Sequence, residues 1–181
     1  RCNPVADVTE GFRTLTVNFN AYLEAATAPS SYFRWDIDGD GTNEAAGWGV
    51  SNLTWNYTTS GFYTVNLSIS NAQGMASSSK PGYIRVYPEV MYVNPAAGSR
   101  TLPYDTPARA AARLEDALAW AYETGTRTPM TIQLSTGVYA LADTLVLNRG
   151  LVVRGGGATP DETVLQGPGP ARVAYVAHPR A

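Results

Sequence analysis

The chain has 181 residues, 44% of them hydrophobic and 15% charged, which gives enough apolar side chain for one or two packed domains and argues against disorder. A net charge of −2 and a pI near 5.3 offer no general attraction for nucleic acid or an anionic membrane, and no basic cluster compensates. No apolar run is long enough to cross a bilayer, and any export signal is expected to have been removed or to lie upstream.

Cys2 is the only cysteine, which excludes an internal disulfide and a cysteine-based zinc cluster. Its thiol is either free or paired with a cysteine upstream. Residues 15–21 and 63–70 alternate apolar and polar side chains, the signature of strands with one wet face. Turn-rich stretches at 27–31 and 71–74 separate such strands, and no helical period occurs before residue 100.

Between these strands lies the run Trp35, Asp36, Ile37, Asp38, Gly39, Asp40, Gly41, Thr42, Asn43, Glu44. Asp36, Asp38 and Asp40 sit at alternate positions, Gly41 allows a sharp turn, and Asn43 and Glu44 add oxygens, the ligand supply that Ca²⁺ prefers. Asp36, Asp38, Asp40, Asn43 and Glu44 are therefore the candidate metal ligands. The match to an EF-hand loop is partial, because Gly47 falls where its bidentate Glu should be. The expectation is a structural calcium site without a helix-loop-helix sensor, set against a plain solvated acidic turn.

The segment from Tyr32 through this loop to Asn71 resembles a PKD domain, an immunoglobulin-like β-sandwich. Trp35, Asp40 and Gly41 fill places in that family's Trp-Asp-x-x-Gly-Asp-Gly type segment, and Tyr57, Gly61, Tyr63 and Val65 those of its Tyr-x-x-x-Gly-x-Tyr-x-Val segment. The likeness covers about residues 3–88. It departs at Ile37 and Asp38, where many members have an aromatic residue followed by Gly, and the departure makes this loop more acidic.

Pro88 reads as the seam between residues 1–88 and a second unit at 89–181, because it ends the strand predicted at 83–87 before another begins at 90–93. A loop at 94–100 leads to one predicted helix, with Thr106 as N-cap, Pro107 in its first turn and Gly125 at its end. Ala110, Ala111, Leu114, Ala117, Leu118 and Ala121 form its apolar stripe, small enough to lie close against a sheet. Short strands follow at 130–134, 137–141, 144–147, 151–154, 163–166 and 173–176, a rhythm that suggests stacked coils.

The order of the segments at 91–99, 103–106, 132–139 and 151–155 is similar to the N-terminal cap and first coils of right-handed parallel β-helix proteins of the pectin-lyase-like superfamily. The resemblance implies that the helix plugs one end of the coil. It also implies kinship with polysaccharide lyases and hydrolases, whose acidic residues, calcium and Arg or Lys base lie in coils further along. The only lysine, Lys80, falls in the first unit. Arg149 and Arg154 with Asp143 are better read as surface charges than as an acid and base, and His178 is too near the terminus for a rigid general base. No catalytic residue is assigned.

Other signals carry less. Gly155, Gly156 and Gly157 follow a strand, but no Lys-Ser/Thr comes after them and Asp161 and Glu162 would repel an anion, so a coil turn is expected. The sequons at Asn52, Asn56 and Asn66 arise readily in strands that alternate Asn with Thr or Ser. Trp48, Trp55, Tyr57 and Phe62 read mainly as core, with an exposed sugar-stacking ring as the alternative.

The expected protein is mostly β: a calcium-stabilised sandwich followed by the helix-capped start of a parallel β-helix. It is expected to be bacterial and secreted or on the cell surface, contacting a polysaccharide or a surface protein in adhesion, carbohydrate contact or assembly. The alternatives are the front end of a polysaccharide lyase or hydrolase and a filament subunit that self-associates through an open coil end. Neither nucleic-acid binding nor membrane insertion is expected.

Overall fold

Alternation of apolar and polar residues gives the first half of the chain its strands. In a computed structural model, which describes residues 2–24, 30–96, 100–123, 130–147, 150–170 and 173–176, the protein is mostly β. Contacts divide it into two units, Arg1–Tyr87 and Pro88–Ala181.

In the first unit, β1 (Cys2–Ala6), β3 (Leu15–Leu23) and β6 (Asn52–Tyr57) form an antiparallel sheet in the order β1-β3-β6. A five-stranded sheet has the order β2-β8-β7-β4-β5, from β2 (Glu10–Phe12), β4 (Tyr32–Asp36), β5 (Ala45–Trp48), β7 (Gly61–Asn71) and β8 (Gly74–Tyr87). Both sheets contribute to one core, in which Val17 and Phe19 meet Phe33, Trp35, Val65, Leu67 and Ile84. Each such side chain removed from water contributes about 1.5–3 kcal/mol. The cysteine belongs to this core: Cys2 is buried and its thiol points to the Leu67 carbonyl. Burial pushes that thiol up from its ordinary pKa.

The wet face of the smaller sheet is a ladder of polar pairs. Thr16 lies opposite Asn56, Asn18 opposite Thr54 and Asn20 opposite Asn52. All three pairs hydrogen-bond through their side chains, at 2.7, 2.7 and 2.8 Å. Two of the three sequon asparagines, Asn52 and Asn56, are therefore engaged within the sheet.

The second unit is built from parallel pairing. β9 (Val90–Val93), β10 (Met130–Leu134) and β13 (Leu151–Arg154) form one sheet in the order β13-β10-β9. β11 (Gly137–Ala140) pairs with β14 (Thr163–Gln166), and β12 (Leu145–Leu147) with β15 (Ala174–Val176), both parallel. Met91, Val93, Met130, Ile132 and Leu134 are buried, and Tyr139 anchors the next strand by donating its hydroxyl to the Val93 carbonyl at 3.0 Å.

The helix differs from its prediction. Pro107–Arg109 form only a 3₁₀ turn, with Thr106 before it making no side-chain cap, and α1 runs from Leu114 to Glu123. The cause is a long-range pairing: Ala111 bridges Val93 in parallel, its amide donating to the Tyr92 carbonyl while its carbonyl accepts from Asn94. Ala110 and Ala111 are buried as expected, but ahead of the helix. Leu114, Ala117, Leu118 and Ala121 form the buried stripe of α1, which contacts β9 and β10. Gly125 lies outside the described residues.

Candidate functional site

The acidic loop hangs between β4 and β5, and its first anchor is the core. Trp35 is fully buried, packs on Phe19 and donates its indole N–H to the Val50 carbonyl at 2.9 Å. Ile37, also fully buried, pins the other side of Asp36. Asp36 is thus held at the end of a rigid strand and is only 7% exposed.

The carboxylates then fold the loop around themselves. Asp36 accepts from the Gly39 and Gly41 amides, and its Oδ2 also from the Asn66 side chain at 2.9 Å. Asp38 accepts from the Asp40 amide, and Asp40 from both the amide and the hydroxyl of Thr42. These Thr42 bonds, the hydroxyl's first, hold the Asp40 carboxyl below its ordinary range. Glu44 returns to accept from the Ile37 amide at 2.6 Å. Gly39, at φ +79°, presses on Thr64 of β7, leaving no room for a side chain.

A tyrosine closes the base. Tyr57, buried at the end of β6, donates to the Ile37 carbonyl at 2.7 Å. Burial, with added effects from Tyr63, Asp38 and Glu44, pushes its phenol far above the ordinary range. Nothing in the local sequence signals this tether, although Tyr57 itself stands in the motif.

The loop brings together oxygens of Asp36, Asp38, Asp40 and Glu44, all within 4.8 Å of one another. Two oxygens on one calcium ion, each about 2.3–2.6 Å from it, can be at most about 5.2 Å apart, so this spacing fits a shared cation. Among the described residues, no Lys or Arg forms an ion pair with any of the four. Asn43, the fifth predicted ligand, is exposed and lines a groove beside Asp36 and Gly41.

The aromatic residues need correction. Tyr57 is core and Trp55 packs partly buried against it, but Trp48 is 66% and Phe62 47% exposed. Pairing explains Trp48: it lies opposite Tyr32, whose side chain alternates with buried Phe33, so both face outward.

In the second unit Asp143 and Arg154 are exposed, while Arg149 and His178 lie outside the described residues. The glycine run is a packed turn. A side chain at Gly156 would meet the Leu134 carbonyl oxygen at 2.4 Å, and Glu162 folds back to accept the Ala158 amide. Comparison with models of known protein families and with curated proteins finds no match to this chain.

Proposed function

We propose that this chain is a non-catalytic, extracellular or cell-surface modular protein that acts in adhesion, carbohydrate contact or assembly, its first unit a calcium-stabilised, PKD-like immunoglobulin sandwich. The observation that carries the reading is the carboxylate cluster on a rigid strand end: four acidic groups within 4.8 Å, with no basic partner among the described residues. Such a loop relieves its repulsion by taking up a hard cation. Asp36, Asp38, Asp40 and Glu44 would hold it, with Asn43 as a further oxygen. The ion's contribution is structural, tying β4 to β5. Extracellular modules of this kind bind calcium at about 10⁻⁴ to 10⁻³ M, which matches a site made of a short surface loop.

Two sheets around one core, with Trp35 at its centre, support the sandwich assignment. The four parallel ladders of the second unit support a parallel β-helix start. They equally favour a second reading, the front part of a polysaccharide lyase or hydrolase whose reacting groups lie in further coils.

Calorimetric titration with CaCl₂, followed by retention of the chain on a glycan array, tests the first reading. Binding of both kinds with no depolymerising activity supports it. Release of unsaturated sugars from pectate by this chain would overturn the non-catalytic assignment.

A further inference from the structure

The outer face of the five-stranded sheet carries a pattern that core packing does not explain. Strand register arranges its side chains in three rows. Trp48, Tyr32, Ser70 and Met75 lie across the first, Ala46, Arg34, Ser68 and Ser77 across the second, and Asp36, Asn66 and Ser79 across the third. Ser68, Ser77 and Ser79 make a low floor bordered by Arg34 and the largely buried Asp36. The result is a groove of about 350 Å³.

The aromatic flank beside the groove is pre-set. The Tyr32 ring stands edge-on to Trp48, with centroids 5.6 Å apart and planes at 83°. The Arg34 guanidinium lies over the same Tyr32 ring at 4.8 Å from its centroid. Tyr32 therefore buttresses both neighbours, which lowers the ordering cost of binding. Trp48 remains 66% exposed despite its contact with Tyr32, an unusual setting for an indole. Trp, Tyr and Arg together are the residue types that dominate binding energy at recognition sites.

The chemistry selects the ligand. Hydroxyls of Ser68, Ser77 and Ser79 and the Asn66 amide offer donors and acceptors along the groove, while Trp48, paired with Tyr32 on the same sheet face, offers an exposed ring beside it. The groove borders the acidic loop, whose Asp36, Asp38, Asp40 and Glu44 repel a polyanion, so it matches a neutral chain better than an acidic one. A ligand rich in hydroxyls with flat C–H faces satisfies both the floor and the ring.

We infer that this face is a binding site for a neutral polysaccharide, with Trp48 as the stacking platform and the serine groove as the polar track; the inference rests on the carbohydrate-contact reading above and locates it. The test is sedimentation of the full chain with insoluble cellulose, xylan and chitin, alongside an array of soluble neutral and acidic glycans. Wild type is expected to be retained by at least one neutral glycan. Trp48→Ala should weaken retention by about tenfold or more. Ser77→Trp, which fills the groove without touching the core, should do the same. Both side chains are exposed, and unchanged circular dichroism and calcium response would show that each variant folds. Retention on neutral glycans that neither variant alters overturns this site and leaves the carbohydrate reading standing, as does retention by acidic glycans only. Retention on no glycan overturns both.

Discussion

The Tyr57 hydroxyl donates to the Ile37 carbonyl at 2.7 Å, joining the end of β6 to the first turn of the acidic loop across twenty residues of sequence. Both partners are buried, so removing the donor leaves a carbonyl without water to replace it. Tyr57→Phe is expected to cost about 1–3 kcal/mol in urea unfolding. Tyr63→Phe, whose hydroxyl bonds Thr59 at an exposed site, should cost about 0.5 kcal/mol or less. Equal losses would remove Tyr57 from its role as the tether.

Calcium should raise the melting temperature, and a chelator should reverse the rise. At a concentration one hundred times its Kd the ion stabilises the fold by about 2.7 kcal/mol. Asp38→Asn removes a charge yet can still accept the Asp40 amide. The variant should melt at or above the wild-type temperature in chelator and gain less from calcium. Identical scans with calcium and chelator would sink the metal assignment.

Gly39 and Gly41 separate two causes of strain. Both have φ near +90°, at +79° and +92°, but a Cβ at Gly39 would lie 2.8 Å from Cβ of Thr64, whereas one at Gly41 meets nothing within 4 Å. Gly41→Ala should cost about 1–2 kcal/mol, the conformational penalty alone. Gly39→Ala should cost more, because the loop must also lift off β7. Thermal denaturation of the pair checks the order, and a larger loss at Gly41 would contradict it.

Alkaline pH should unfold the first unit through its tyrosines. Burial, aided by the hydrogen bond to Glu10, pushes Tyr87 from an ordinary value of 10.0 up to about 12, and Tyr57 moves in the same direction. The unfolded chain therefore loses these protons first. The stability they contribute is complete below about pH 10 and is lost as pH rises through about 12. Urea midpoints should fall over this window, and less steeply in Tyr87→Phe.

Most strands were legible because their signals are local. Val17, Phe19 and Ala21 alternate with polar neighbours, and all three are buried. The helix start was not, since Ala110 and Ala111 have helical spacing but are drawn away by a bridge to Val93, eighteen residues earlier in the chain. Trp48 was misread for a related reason. Its residue type argues for core, while the face it occupies is set by pairing with Tyr32. At the acidic loop the carboxylates could be named from spacing, but the Tyr57 tether and the Glu44 return to Ile37 depend on how strands meet.

In the second unit Met130 stands beside Leu151, Gly137 beside Thr163 and Leu145 beside Ala174, so the length of chain between partners differs from ladder to ladder while each register stays intact. The turns absorb the difference. Such an architecture separates the segments that carry fold information from those that carry length. Foreign peptides spliced into the exposed tip of the turn at 158–161 would extend it sideways without retuning any strand, whereas one residue added inside β10 would invert the faces of the side chains after it in that strand. Variation is thus channelled to one set of surfaces, where new contacts can be tried without rewriting the scaffold.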